Sequence, residues 1–148
     1  MFIDNQCSIY AQRPRTCRDY DCRVFPATGV AMDEGKPLIA KQAARWKFAF
    51  PGAEDTREYA AVCAAAEFLR LGSRDFPPGF VPVNAPQRAV MALKVYQVFL
   101  DRPHGDFAGL RPAQRSAIAA AMLAAFARFE KDRGEKKDRS AGKRSRPK

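Results

Sequence analysis

Apolar residues recur at helical spacing in three stretches of the chain. Tyr59, Val62, Cys63, Ala66 and Leu69 lie three or four residues apart, which places them on one face of an α-helix. Asp55 with Glu58 three residues on predicts a capping box at the start of that helix, and Gly72 predicts its end after Leu71. A Pro- and Gly-rich turn from Phe76 to Pro82 follows. Pro86 then suits a first helical turn, and Ala92, Val95, Tyr96 and Phe99 line one face of a second helix that ends before Pro103. Pro112 opens a third, whose stripe is Ile118, Ala121, Met122, Ala125, Phe126 and Phe129. Between Ala27 and Pro51 the pattern is mixed, and the alternation of Trp46, Phe48 and Phe50 predicts a short strand.

The two ends of the chain carry no such stripe. Residues 1–26 are rich in cysteine, arginine and aromatics, with Pro14 fixing one backbone angle, and predict an irregular segment. From Lys131 onward no side chain is aromatic, and none is an aliphatic larger than alanine. Such a segment cannot bury enough apolar surface to offset the roughly 1–2 kcal/mol per residue lost on ordering a backbone. The expected architecture is therefore mainly α. An irregular cysteine-rich loop packs on a small three-helix core over residues 1–130, and a disordered basic tail covers 131–148. No internal repeat is present.

Composition agrees with one compact domain, since 47% of the 148 residues are apolar and 28% are charged. No apolar run approaches the roughly 18–20 residues that span a bilayer. Even the alanine-rich stretch Ala117 to Ala127 is bounded by charge. The formal charge of +10 first suggests a nucleic-acid partner. Arg128 to Lys148, however, hold ten basic and four acidic residues, a net +6, which leaves only +4 for the rest. The tail lacks the interleaved aromatics that stack bases, so it suits at most salt-dependent, sequence-independent phosphate contact, and a solubilising terminus is the simpler reading.

Cysteine usage narrows the chemistry further. Cys7, Cys17 and Cys22 crowd the first 22 residues, and nothing there resembles a signal peptide. The expected compartment is a reducing cytoplasm, where clustered thiols are more often metal ligands or redox groups than disulfides. Three thiolates supply most of a tetrahedral zinc shell, or three of the four ligands of an iron–sulfur cluster. Both are anionic, and Arg13, Arg15, Arg18 and Arg23 stand among the cysteines. Their cationic groups stabilise an anionic centre and favour the ligating thiolate. The spacing C-x9-C-x4-C alone leaves a metal site and reduced loop thiols both open. Cys63, on a core stripe, reads as a small buried hydrophobe rather than a fourth ligand. The lone histidine, His104, sits between Pro103 and Gly105 and reads as an exposed loop residue. Asp19 and Asp21 read as balancing the arginines. No nucleophile elbow and no Gly-rich phosphate loop are present.

Cys7, Ile9, Tyr10, Arg13, Pro14, Cys17, Arg18, Tyr20 and Cys22 form nine fixed positions within sixteen residues. This pattern resembles the second half of the YkgJ-type cysteine cluster family, a zinc- or iron-chelating domain that is similar to one in flagellin lysine N-methylases. The resemblance implies that Cys7, Cys17 and Cys22 are metal ligands, with Tyr10, Arg13 and Arg18 as supports around them. It implies a structural or redox role for zinc or an iron–sulfur cluster, and more distantly a part in a protein lysine N-methylase-like system. Family members carry a further cysteine group upstream, whereas here only six residues precede Cys7. A longer reading frame that supplies the missing ligands is the expectation.

Overall fold

The computed structural model describes residues 2–3, 6–7, 23–32, 35, 37–101 and 107–144. For 2–3, 6–7, Leu38 and 136–144 it describes the backbone alone. Two short strands, β1 (Phe2–Ile3) and β2 (Gln6–Cys7), pair antiparallel with Phe2 opposite Cys7 and Ile3 opposite Gln6. Among the described residues five α-helices follow: α1 (Val24–Thr28), α2 (Pro37–Ala43), α3 (Ala53–Leu71), α4 (Ala85–Val95) and α5 (Pro112–Arg144). Single 3-10 turns at Ser73–Asp75, Tyr96–Phe99 and Phe107–Gly109 connect them. The fold is mainly helical, as expected, and α3, α4 and α5 form its core.

Local chemistry fixes the ends of these helices. Asp55 does not cap α3 as its first residue; it sits one turn inside. Gly52 is the N-cap, and its backbone N–H donates to Asp55 Oδ2 at 2.9 Å. This is the reciprocal half of a capping box, and it places two carboxylates, Glu54 and Asp55, in a first turn that favours negative charge. At the other end the Gly72 N–H donates to the Phe68 carbonyl at 2.7 Å. Asn84 caps α4 by accepting from the Gln87 N–H at 2.9 Å, with Pro86 in the first turn, where a missing N–H costs nothing. Gly29 closes α1 in the left-handed conformation, φ +66°.

The core is centred on α3. The sequence predicts a one-sided stripe there, yet Ala61, Ala64, Ala65 and Phe68 are buried as well as Val62, Ala66 and Leu69. The second half of α3 is enclosed because α1, α4 and the turn after α4 all pack against it, and its alanines permit that close approach. Phe68 is fully buried and meets Phe76, Phe99 and Phe107 at centroid separations of 6.1, 6.0 and 5.5 Å. Edge-to-face rings at this spacing add to area burial. Of the second expected stripe, Ala92 and Val95 are buried in α4, which ends at Val95; Tyr96, partly buried, and Phe99, buried, lie in the 3-10 turn that follows. On α5 Ile118, Met122 and Ala125 are buried, and the stripe ends at Phe129, which is 39% exposed.

Three expectations meet the structure differently. Trp46, Phe48 and Phe50 form no strand, because no neighbouring strand is there to pair with among the described residues. Phe50 instead lays its ring on Tyr59 at 4.6 Å. Helix α5 does not stop where its buried stripe stops but runs on to Arg144. Lys, Arg and Glu are good helix formers, so an exposed helix can extend without packing where residues 131–135 bury nothing. Third, α1 and α2 are ordered elements that no clear periodicity announces. The packing of the cysteine loop on this core lies outside the described residues.

Candidate functional site

The structure describes the two edges of the cysteine segment. At one edge the backbone of Cys7 is held in the β1–β2 ladder. At the other, the residue after Cys22 is Arg23, which opens α1. Helix α1 is short but firmly docked. Phe25 is 4% exposed, and Thr28, 1% exposed, donates its hydroxyl to the Val24 carbonyl at 2.6 Å. The Arg23 guanidinium lies 5.7 Å from the centroid of the Trp46 ring, within cation–π range. The side chains of Cys7, Tyr10, Arg13, Cys17, Arg18 and Cys22 lie outside the described residues, as do His104, Asp19 and Asp21. Among the described residues no group of three or more His, Cys, Asp or Glu is placed to hold a metal ion.

Cys63 departs from its expected place. It is half-buried rather than buried, and it lines a cleft of about 650 Å³ between the end of α1 and the middle of α3. Val30, Met32 and Ala66 give this cleft an apolar wall, while Glu67, Arg70 and Arg88 supply its charged side. Glu67 and Arg70 neutralise one another through a two-point contact, with 2.6 and 2.8 Å bonds, and the Arg70 guanidinium draws the Glu67 carboxyl below its usual range. Arg88 is turned onto the backbone carbonyls of Pro82, at 3.4 Å, and Val83.

The electrostatics around Cys63 favour the neutral thiol. Burial pushes its pKa up, and the hydrogen bond with Tyr59 opposes this only in part. The Tyr59 hydroxyl has a second acceptor in the Pro26 carbonyl at 3.3 Å. A thiol held protonated is a weak nucleophile and a poor metal ligand. The spacing pattern had marked Cys63 as an ordinary core position. No local signal in the sequence shows that Gly29, whose added Cβ would meet Cys63 Sγ at 3.5 Å, leaves the thiol facing a cleft.

No helix among the described residues is long and apolar enough to cross a membrane. Comparison with protein-family models, with curated proteins and with solved structures finds no match to this chain.

Proposed function

We propose that the chain is a metal-binding protein in which Cys7, Cys17 and Cys22 form part of a thiolate site for zinc or an iron–sulfur cluster. The observation that carries this reading is the density of the motif: three cysteines and four arginines, Arg13, Arg15, Arg18 and Arg23, within seventeen residues. Thiolates grouped in this way repel one another unless a cation holds them, and the guanidinium groups offset the negative charge that remains once a metal is bound. The docked helix α1 supports the reading from the structural side, because it provides a fixed anchor immediately after Cys22. Such a centre would supply order to an irregular segment or accept an electron. This chain's residues would bind it, screen its charge and exclude water from it. Tyr10, Arg13 and Arg18 are the proposed supports around the ligands. Cys63 is left out, because its burial favours the protonated form.

The test is metal content. Protein purified without oxygen should carry zinc or iron in a fixed ratio to the chain, and Cys17→Ser and Cys22→Ser should each lose it while Cys63→Ala retains it. Absence of both metals from the native protein, or unchanged metal in the Cys17→Ser and Cys22→Ser variants, would refute the proposal.

A further inference from the structure

A second surface, independent of the cysteine segment, combines aromatic rings with carboxylates. Phe48, Phe50, Tyr59 and Tyr96 line a groove of about 320 Å³, and the charged residues of its lining, Asp55 and Glu58, are both acidic. Phe48 and Phe50 are 43% and 39% exposed, although large aromatic side chains usually find cover. Both acids are held in place without being neutralised. Asp55 Oδ2 accepts from the Gly52 N–H, Glu58 Oε1 faces the Tyr96 hydroxyl at 3.5 Å, and no cation among the described residues pairs with either. Ring faces and carboxylates together are what a guanidinium or ammonium group prefers: the rings attract the cation, and the apolar stem of the side chain covers them.

The chain itself carries a segment of the complementary chemistry. Residues 131–148 hold nine basic and three acidic residues, a net +6. Within its own molecule residues 131–135 are exposed, and none of them pairs with Asp55 or Glu58. Helix α5 touches the body through Glu130, which pairs with Lys94 at 2.7 Å, and then continues unbroken to Arg144. At 1.5 Å per residue this is roughly 20 Å of further helix, and a continuous helix does not fold back on itself. We infer that the groove receives the lysine- and arginine-rich carboxy-terminal helix of a second copy of this chain. The contact joins two different surfaces, so it is satisfied both by copies added head to tail and by a pair that exchanges helices reciprocally.

Sedimentation of the full chain at low salt should show mass rising with concentration over about a hundredfold range, with the rise lost at high salt because exposed charge pairs are screened. Two full-length variants separate the halves of the contact. Glu58→Lys leaves the rings in place but reverses the charge of the groove. Lys136→Gln, Lys137→Gln, Arg139→Gln, Lys143→Gln and Arg144→Gln, made together, remove five of the seven cations between Lys131 and Arg144. Each should be monomeric alone, and an equimolar mixture should form a one-to-one complex, since each retains the half that the other lacks. A peptide of residues 131–148 should bind the five-fold Gln variant and not Glu58→Lys. The inference fails if the native chain is monomeric throughout and the peptide does not bind, or if association survives in both variants. It also fails if the tail instead retards mixed-sequence duplex DNA at low salt while the peptide leaves the groove untouched.

Discussion

Arg115 and Asp75, forty residues apart in sequence, meet through two nitrogens on one carboxylate oxygen: Nη2 at 2.8 Å and Nε at 2.9 Å from Oδ2. Both side chains are about one-fifth exposed. The same guanidinium donates to the carbonyls of Phe107, at 3.2 Å, and Leu71, at 3.4 Å. One side chain at the start of α5 thus ties down the end of α3 and the two turns around the Phe68 cluster. Replacing Arg115 with methionine keeps the apolar stem and removes all four contacts. The expected loss is about 2–3 kcal/mol of unfolding free energy, measured by urea denaturation. Asp75→Asn should cost less, and the two changes should combine non-additively, since they share one interaction.

Gly72 sits against the same carboxylate. Its backbone φ of −99° is open to any residue, so conformational freedom is not the reason for glycine here. An added Cβ would meet the Phe68 carbonyl oxygen at 2.8 Å and Asp75 Oδ2 at 3.0 Å. The carbonyl belongs to helix backbone and cannot move aside, while displacing Asp75 disturbs its pairing with Arg115. Gly72→Ala is therefore expected to destabilise by about 1–3 kcal/mol, the scale of overpacking. Thermal unfolding checks this, and an unchanged midpoint would show that the α3 terminus is looser than its contacts imply.

The three core helices were legible because their stripes are set by burial on a regular 3.6-residue period, and Val95, Ile118 and Met122 all fall where that period puts them. Phe68 was not legible as the centre of the aromatic cluster. Its partners Phe76, Phe99 and Phe107 come from three separate turns, and periodicity within one helix does not report contacts between segments. The short helix α1 was missed for a related reason: five residues carry less than two turns of pattern, and its order comes from Phe25 and Thr28 packing into the body. The cysteine motif is read from its spacing and its arginines alone, since the side chains of Cys7, Cys17 and Cys22 lie outside the described residues. The acid-lined aromatic groove was not legible, since Phe48 and Phe50 read as strand alternation until their packing beside Tyr59 is known.

Cys63 should respond to pH as a protected thiol. Burial raises its pKa, so the native state keeps the proton to higher pH than the unfolded chain does. Its contribution to stability is therefore intact below the ordinary thiol pKa and is lost as pH rises through the native value. Mass-resolved alkylation with iodoacetamide near pH 8 is expected to modify Cys63 more slowly than a free thiol, with its rate profile displaced to alkaline pH. Cys63→Ala should flatten the alkaline limb of the stability curve. A Cys63 that alkylates fast at neutral pH would contradict the environment described for it.

Gly134 offers the opposite case to Gly72 on the same chemistry. It lies inside α5, where an added Cβ meets nothing within 4 Å, and its neighbours through Glu135 are exposed. Nothing in the folded state pushes back against a methyl group there, and glycine in a helix interior costs about 1 kcal/mol relative to alanine. Part of that cost is the freedom that the glycine backbone loses on becoming helical. Gly134→Ala should strengthen the distal helix by about this amount, seen as increased far-ultraviolet ellipticity and slower amide exchange beyond Glu130. The core's unfolding midpoint should barely move, because the stripe that holds α5 to α4 ends at Phe129 and the Lys94–Glu130 pair. If the midpoint rose together with the helicity, the distal helix would be energetically coupled to the body rather than an extension from it.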